Sequence, residues 1–291
     1  MKRWLKWGFI LVAGLFIIWK VQDVMSTKSE VPDSQLLAKD GVCLGLNYHR
    51  IKSPNLWNKA IEIVSGSDNL TRYNVYEDEF KDQITWMKQQ GVHFATAKDI
   101  SEYVRGNPIP DKCVWISFDD VDHTVYENAF PILREEQVPF TLFVITGHVG
   151  ERFQNLELST WDELKEMNES GLADFGSHTH DFHYIKDGQA TFLDPTQHET
   201  FREDLQTSRD TLQQELGMDV TAIAYPFGET DDAVTAIAQS AGYTDAFILS
   251  PNPITNENSS LFINRYLLDR QLFSEFVKPY LLDEKQDALN D

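Results

Sequence analysis

The chain has 291 residues, of which 42% are hydrophobic, and it carries a formal net charge of −21. This length and composition permit a full hydrophobic core, and an α/β barrel can use such a length as one domain. The negative charge argues against a nucleic-acid partner, because binding to phosphate backbones requires positive side chains. An acidic surface is compatible with simple solubility or with attraction of a cationic ligand.

The N-terminus has the features of a membrane-targeting segment. Basic residues precede an uncharged run, residues 7–19, which ends at Lys20. This run has the length of a signal-peptide core and is shorter than the roughly 20 residues of a spanning helix. We expect residues 1–26 to be an uncleaved signal anchor in contact with the membrane, with a cleaved signal peptide as the alternative. Residues 27–36 are then a polar tether, and residues 37–291 form a catalytic domain at the extracellular face of the cell.

After the tether, predicted strands alternate with predicted helices. In chain order, the strands are Val42–Tyr48, Val114–Phe118, Phe140–Ile145, Ala173–Phe175, Ala222–Tyr225 and Phe247–Leu249. The helices between and after them are Glu77–Gln90, Asn128–Glu136, Trp161–Ser170, Phe201–Leu216 and Asp231–Ala241. Repeated β–α units predict a parallel sheet, closed or nearly closed, with the helices outside. In such folds the chemistry lies at the carboxyl ends of the strands.

Chemically active side chains follow these strands. The strand Val114–Phe118 runs into two adjacent carboxylates, Asp119 and Asp120. Successive side chains of a strand point to opposite faces, so we expect the two to have different tasks. Three histidines follow the strand Ala173–Phe175, and His49 follows the first strand. Carboxylate and imidazole together suit a divalent metal such as zinc, although the two aspartates would also suit a helix N-terminus and His49 a buried structural role.

Three segments resemble motifs of the polysaccharide deacetylase (NodB-homology) superfamily. They are Ser117–Asp120, His178–His183 and Ala224–Gly228, of which the third lacks the usual arginine. Other segments extend the resemblance to the branch that N-deacetylates poly-β-1,6-N-acetylglucosamine: Asn47–Arg50, Trp57–Lys59, Cys113–Ile116, Asn128–Pro131 and Asn264–Tyr266. The resemblance covers residues 41–270. It implies a distorted (β/α)7-type barrel and the metal-dependent release of acetate from an extracellular N-acetylglucosamine polysaccharide.

The resemblance also assigns the metal ligands. Asp120, His178 and His183 are expected to bind zinc, with cobalt or nickel as alternatives. His180 competes for a place in this set, because the two assigned histidines lie five residues apart and many members of the superfamily have a spacing of four. Asp119 is then the general base.

The remaining roles follow in the same way. The resemblance implies that His49 is the general acid and that the backbone N–H of Tyr225 binds the oxyanion. Tyr48, Pro226 and Phe227 are candidate substrate contacts. Arg265 is a further candidate, which either holds the base carboxylate through a charge-assisted pair or lies at the surface.

Three other functions remain open from the sequence. They are deacetylation of peptidoglycan or of β-1,4-linked chains, glycoside hydrolysis, and polysaccharide binding without catalysis. A glycoside hydrolase requires carboxylates that face each other across the scissile bond, which adjacent strand residues do not provide.

The two cysteines, Cys43 and Cys113, form no recognisable metal or redox motif. We expect two buried thiols, with a disulfide as the alternative.

Overall fold

The central strand of the fold, β5 (Cys113–Asp120), is buried along its whole length. Such continuous burial is typical of a parallel strand covered on both faces. One side of β5 pairs in parallel with β1 (Cys43–Tyr48). The other side pairs first with β4 (His93–Ala95) and then, from Ser117 onward, with β6 (Phe140–Val144). These pairings align the carboxyl ends of β1, β5 and β6.

The computed structural model describes residues 41–54 and 73–282. Within these ranges the sheet also contains β9 (Ala173–Ser177), β12 (Ala222–Ala224), β13 (Asp245–Phe247) and β14 (Tyr266–Leu267). Along the sheet the order is β13-β12-β9-β6-β5-β1-β14, with all neighbours parallel. A bridge between Phe247 and Ile263 joins the β13 edge to the segment that leads into β14. The predicted α/β barrel is confirmed as a curved and nearly closed parallel sheet.

Three short strand pairs follow strands of the sheet. They are β2 (Arg50–Lys52) with β3 (Asn74–Tyr76), β7 (Arg152–Phe153) with β8 (Leu156–Glu157), and β10 (Ile185–Lys186) with β11 (Gln189–Ala190). The first strand of each pair is the next strand in the chain after β1, β6 and β9, respectively. Each pair therefore stands beyond the carboxyl edge of the sheet, where it can wall a cavity.

The helices connect the strands and cover the sheet. They are α1 (Glu77–Gln89), α2 (Ala97–Tyr103), α3 (Phe130–Glu136), α4 (Trp161–Glu169), α5 (His198–Leu216), α6 (Asp232–Ser240), α7 (Arg270–Leu272) and α8 (Lys278–Leu282). Capping boxes at Thr96 and Thr160 begin α2 and α4, because each threonine accepts the N–H of the acidic residue three positions on. Helix α5 ends at Gly217, whose φ of 70° is readily adopted only by glycine.

The predicted elements are present with shifted ends. The strand predicted at Phe247–Leu249 lies at Asp245–Phe247, and the helix predicted from Asn128 begins as a π-helical turn over Val125–Ala129. Strands β4 and β14 were not predicted, since three and two residues are too few to show a periodic pattern.

Some predictions fall outside the described residues, namely the anchor at 1–26, the tether at 27–36 and the segment Trp57–Lys59. Among the residues that the structure describes, none of the helices combines the length and the apolar character needed to cross a membrane.

The expectation of two buried thiols is wrong. Cys43 and Cys113 form a disulfide, with their Cα atoms 4.5 Å apart. They begin β1 and β5 and lie opposite each other in register. The sequence separation of 70 residues gave no sign of this proximity, which depends on the pairing of the two strands.

Candidate active site

A cavity of about 330 Å³ opens at the carboxyl edge of the sheet. Six of the residues predicted for the site line it: His49, Asp119, Asp120, His178, His183 and Phe227. They come from the ends of four different strands, β1, β5, β9 and β12. The parallel sheet therefore brings together residues that are up to 178 positions apart in the chain.

Asp120, His178 and His183 form a compact group of potential metal ligands, with one donor atom from each lying within 4.8 Å of the others. Asp120 Oδ1 lies 3.4 Å from His178 Nε2 and 3.2 Å from His183 Nε2. His178 Nδ1 donates to the carbonyl of Ala224 at 2.8 Å, which leaves the lone pair on Nε2. Asp120 Oδ1 is buried and makes no hydrogen bond within the described part of the chain. This donor set and the unpaired oxygen at its centre fit a divalent cation.

The pKa values of His178 and Asp120 favour the protonation states that bind a metal, which are a neutral imidazole and an ionised carboxylate. Burial lowers the pKa of His178 to about 4, so its ring is neutral at pH 7. Burial opposes ionisation of Asp120, but the charge of His183 outweighs it and holds the pKa of Asp120 below its usual value. Burial likewise acts to lower the pKa of His183, yet the carboxylate of Asp120 raises it overall.

His180 lies apart from this group. Its Nδ1 is 3.0 Å from the hydroxyl of Thr146. It does not belong to the cluster that the described residues form around Asp120. The structure therefore brings His178 and His183, which are five positions apart, into one group and places His180 outside it.

Asp119 is held by a buried arginine. Arg265 Nη1 donates to Asp119 Oδ1 at 2.6 Å, and Nη2 donates to Oδ2 at 2.9 Å. Arg265 is fully buried and also donates to the hydroxyl of Ser117 at 3.2 Å, so it does not lie at the surface. Burial acts to raise the pKa of Asp119, but Arg265 and His178 outweigh it and hold this pKa below its usual value. Asp119 is therefore an ionised carboxylate in a fixed orientation.

The backbone at the end of β5 is strained. Asp120 and Val121 have φ values of 65° and 62°. This left-handed region is unfavourable for residues with a Cβ, above all for β-branched valine. Such strain typically persists where the surrounding structure enforces it, as at active sites. Here the strained backbone accompanies a change in chain direction, so that Asp119 contacts Arg265 whereas Asp120 contacts the two histidines.

His49 lies in the same cavity. Its ring meets the ring of Tyr73 edge-on, with 4.7 Å between the centroids. Its Nδ1 is buried and finds no hydrogen-bond partner among the described residues. Burial lowers the pKa of His49, while the charges of Asp120 and Asp119 act in the opposite direction. The ring is predominantly neutral at pH 7.

The predicted oxyanion donor requires a correction. The backbone N–H of Tyr225 donates to the carbonyl of Phe247 at 3.1 Å, as part of the pairing between neighbouring strands. This N–H is therefore already engaged within the sheet. Pro226 is buried and does not line the cavity, whereas Phe227 does, with its ring centroid 4.5 Å from that of His183.

Tyr48 is not brought into the cavity either. Its hydroxyl donates to Gln83 at 2.9 Å, and its ring packs against Phe80 and Phe118 in the core. The predicted substrate contact by this side chain is wrong, because the alternation of the strand turns it inward.

Sequence reasoning missed several cavity residues. They are Arg50, Tyr73, Gln154, Asn155, Leu156, Ile185 and Leu249. Gln154 also donates from Nε2 to the carbonyl of His183 at 2.8 Å, which ties the β7–β8 turn to the metal-ligand segment. These residues stand in short hairpins and loops, and apart from Arg50, which ends the segment Asn47–Arg50, no motif marks them.

The comparison with known proteins agrees with this geometry. A family model described as polysaccharide deacetylase matches residues 106–246. A poly-beta-1,6-N-acetyl-D-glucosamine N-deacetylase of Staphylococcus aureus (strain MRSA252) is 35% identical over 274 residues, which cover 92% of this chain and 94% of that protein. The corresponding protein of Staphylococcus epidermidis is 34% identical and is covered to 89%, with 88% of this chain matched.

Among solved structures, IcaB from Ammonifex degensii superposes with a TM-score of 0.73 at 29% identity, covering 84% of this chain and 97% of that one. The chain belongs to the polysaccharide deacetylase family. It is a hydrolytic deacetylase with a site for a divalent metal.

Proposed function

We propose that this protein removes N-acetyl groups from poly-β-1,6-N-acetylglucosamine outside the cell and releases acetate. The observation that carries the proposal is the pairing of a buried two-histidine, one-aspartate group with an adjacent carboxylate held by Arg265. Relatives that share about a third of the sequence bear the name of this activity.

The metal would be held by Asp120, His178 and His183, and zinc is our first choice, with cobalt and nickel as alternatives. When bound, a divalent cation supplies Lewis acidity for the amide carbonyl and a water of lowered pKa. The remaining chemistry falls to the side chains around it.

Asp119 suits the role of general base. Its carboxylate is ionised and lines the cavity next to the metal ligands, so it can accept the proton of an attacking water. The two hydrogen bonds from Arg265 keep the carboxylate in one orientation, and Arg265 contributes to the reaction through Asp119.

The leaving amine of the sugar must take up a proton, so the reaction requires a general acid. His49 suits this role. The lowered pKa means that the ring is neutral before the reaction. As the general acid, His49 would take up a proton from solvent and then give that proton to the amine.

The turn after β12 is where we place the oxyanion donor. The N–H of Tyr225 is engaged, Pro226 has no N–H, and the N–H of Gly228 donates to the carbonyl of Tyr225 at 2.9 Å. The remaining N–H of this turn belongs to Phe227, which lines the cavity with a φ of 63°. We assign the donor role to this N–H.

The decisive experiment measures acetate release from a β-1,6-linked N-acetylglucosamine oligomer, with a β-1,4-linked oligomer as the comparison. We expect metal-dependent acetate release from the first and an unchanged chain length of the product. Preference for the β-1,4 oligomer would overturn the linkage, shortened chains would indicate a glycoside hydrolase, and binding without acetate release would indicate a non-catalytic protein.

The placement of the enzyme is also part of the proposal. We propose that residues 1–26 anchor the chain, that residues 27–36 form a tether and that residues 37–291 act at the extracellular face. The disulfide between Cys43 and Cys113 supports an oxidising compartment, since such bonds are rare in cytosolic proteins.

A further inference from the structure

The segment between the two histidine ligands, His178–His183, is here called the ligand loop. A spacing of five residues places two side chains on opposite faces of a strand and far apart around a helix. Regular structure therefore does not direct both imidazoles to one point. The path of the ligand loop must be imposed by other parts of the protein.

Backbone hydrogen bonds show what imposes it. The first four N–H groups of the ligand loop all have acceptors. His178 donates to the carbonyl of Val144 at 2.8 Å, and Thr179 donates to the hydroxyl of Ser177 at 3.0 Å. The next two, from His180 and Asp181, both donate to the carboxylate of Asp204, at 2.8 Å and 2.6 Å.

Asp204 is a buried residue of α5 and uses one oxygen for each of these donors. Hydrogen bonds to an ionised carboxylate are stronger than those between neutral groups, so this pair acts as a clamp on two successive peptide units. One helical turn further on, the hydroxyl of Ser208 lies 2.8 Å from that of Ser177. The same face of α5 therefore holds the beginning and the middle of the ligand loop.

The opposite side of the ligand loop is held as well. The N–H groups of Thr146 and Gly147 donate to the carbonyls of Thr179 and His180 at 3.1 Å and 2.9 Å. A Cβ atom at Gly147 would lie 2.5 Å from the carbonyl oxygen of His180, so only glycine fits at this position. Thr179, with a φ of 74°, is kept in the left-handed region between these contacts.

We infer that Asp204 is a positioning residue for the metal centre, which directs the ligand loop so that His178 and His183 converge on Asp120. It is about two peptide units from either ligand and acts only through the backbone. The inference rests on the proposed function only because it requires that a metal binds at this site. It does not depend on the identity of the substrate.

The test compares the full-length chain with Asp204→Asn and with Asp210→Asn, a matched control at an exposed position of the same helix. An asparagine keeps one acceptor oxygen and turns an NH₂ group toward the second N–H. Zinc affinity is measured at pH 7.5 by competition with a chelator, and the visible absorption of the cobalt-loaded protein reports the ligand geometry. Urea unfolding of the metal-free protein is followed in parallel.

We expect Asp204→Asn to weaken zinc binding about 10- to 100-fold, as outer-shell substitutions typically do, and to alter the cobalt spectrum. Asp210→Asn should match the wild type. Gly147→Ala, which presses on the ligand loop from the other side, should weaken zinc binding in the same direction. At pH 7.5, where the carboxyl group of Asp204 is ionised in both the native and the unfolded state, the urea midpoint of metal-free Asp204→Asn should stay close to that of the wild type.

Wild-type zinc affinity in Asp204→Asn would overturn the inference. So would a metal-free Asp204→Asn that does not fold, because the carboxylate would then serve the fold as a whole. Since zinc binding is read directly, tight binding by the wild type without acetate release would count against the proposed function alone.

Discussion

The two ends of the parallel sheet differ in how their buried polar groups are paired. At the amino end, a disulfide joins β1 to β5, and Asp245 at the start of β13 accepts hydrogen bonds from Arg105 at 2.7 Å and Ser101 at 3.0 Å. At the carboxyl end, several buried polar atoms have no hydrogen-bond partner among the described residues: Asn47 Oδ1, His49 Nδ1, Asp120 Oδ1 and His183 Nδ1.

Backbone strain is more frequent at the carboxyl end, although Lys112 and Gln137, just before β5 and β6 at the amino end, also have positive φ values. Asp120, Val121, Thr179 and Phe227 all have positive φ values, and each lies at or just after the carboxyl end of a sheet strand. Unpaired buried polar atoms and strained residues both cost stability. The atoms and residues named here lie in or next to the cavity, which indicates that this end serves the chemistry, whereas the disulfide and the contacts of Asp245 indicate that the amino end contributes stability. The following experiments test that division.

Substitution at the carboxyl end of β5 should have the largest effect. We expect Asp119→Asn to reduce the rate of acetate release by about 10²–10⁴-fold, because the proposed general base is lost. Metal content should be unchanged, since Asp120, His178 and His183 remain. Asp111→Asn, an exposed change just before the amino end of the same strand, is the control. Full activity in Asp119→Asn would remove Asp119 from the role of base.

Loss of the buried arginine should lower stability as well as activity. Arg265→Met leaves the Asp119 carboxylate buried without its partner, which typically costs about 3–5 kcal/mol of unfolding free energy. The double variant Asp119→Asn/Arg265→Met should recover part of that loss.

The control for this experiment is Arg134→Met. Arg134 pairs with Glu166 at 3.2 Å, with both side chains about half exposed, and such pairs contribute only about 0–1 kcal/mol. Urea unfolding measures all three variants. Equal stability losses in Arg265→Met and Arg134→Met would contradict the importance of the buried pair.

The amino end should show the opposite behaviour. We expect Cys43→Ala/Cys113→Ala to lose about 2–5 kcal/mol of unfolding free energy, as is typical for removal of a native disulfide. The kcat for acetate release should stay within about twofold of the wild type under conditions where the variant is folded, because the disulfide is remote from the carboxyl edge. A large fall in kcat with intact structure would show that the two ends are coupled.

The smallest effect concerns pH. Burial raises the pKa of Asp204 to about 6, above the ordinary value of 3.8 that applies to the unfolded chain. The native state therefore retains a proton that the unfolded state has lost, and stability falls as pH rises from about 4 to about 6. Over this window the contribution amounts to at most about 3 kcal/mol.

Urea unfolding of the metal-free protein between pH 4 and pH 7 measures this contribution. The stability of the wild type relative to Asp204→Asn should decrease across the window, while the wild type and Asp210→Asn should run in parallel. Parallel curves for the wild type and Asp204→Asn would show that the carboxyl group does not titrate in this range.

The sequence alone determined the α/β barrel and most of the chemical groups of the site. Long periodic or continuous apolar segments, such as those of α5 and β5, carry their own signal, and the motifs around Asp119, Asp120, His178 and His183 are local in the chain. The resemblance of these motifs then supplied the expected roles, and the structure places these four residues in one cavity with His49 and Phe227.

Only the tertiary structure decided the rest, because it depends on pairings between distant segments. Strand register placed Cys43 beside Cys113 and directed the N–H of Tyr225 into the sheet. The fold likewise brought Arg265 to Asp119, and Asp204 to the ligand loop, across separations of 146 and about 24 residues. No local sequence pattern encodes the proximity of the groups in these contacts. The geometry of the contacts determines which backbone N–H is free, how the charge of Asp119 is compensated and how the two histidine ligands converge.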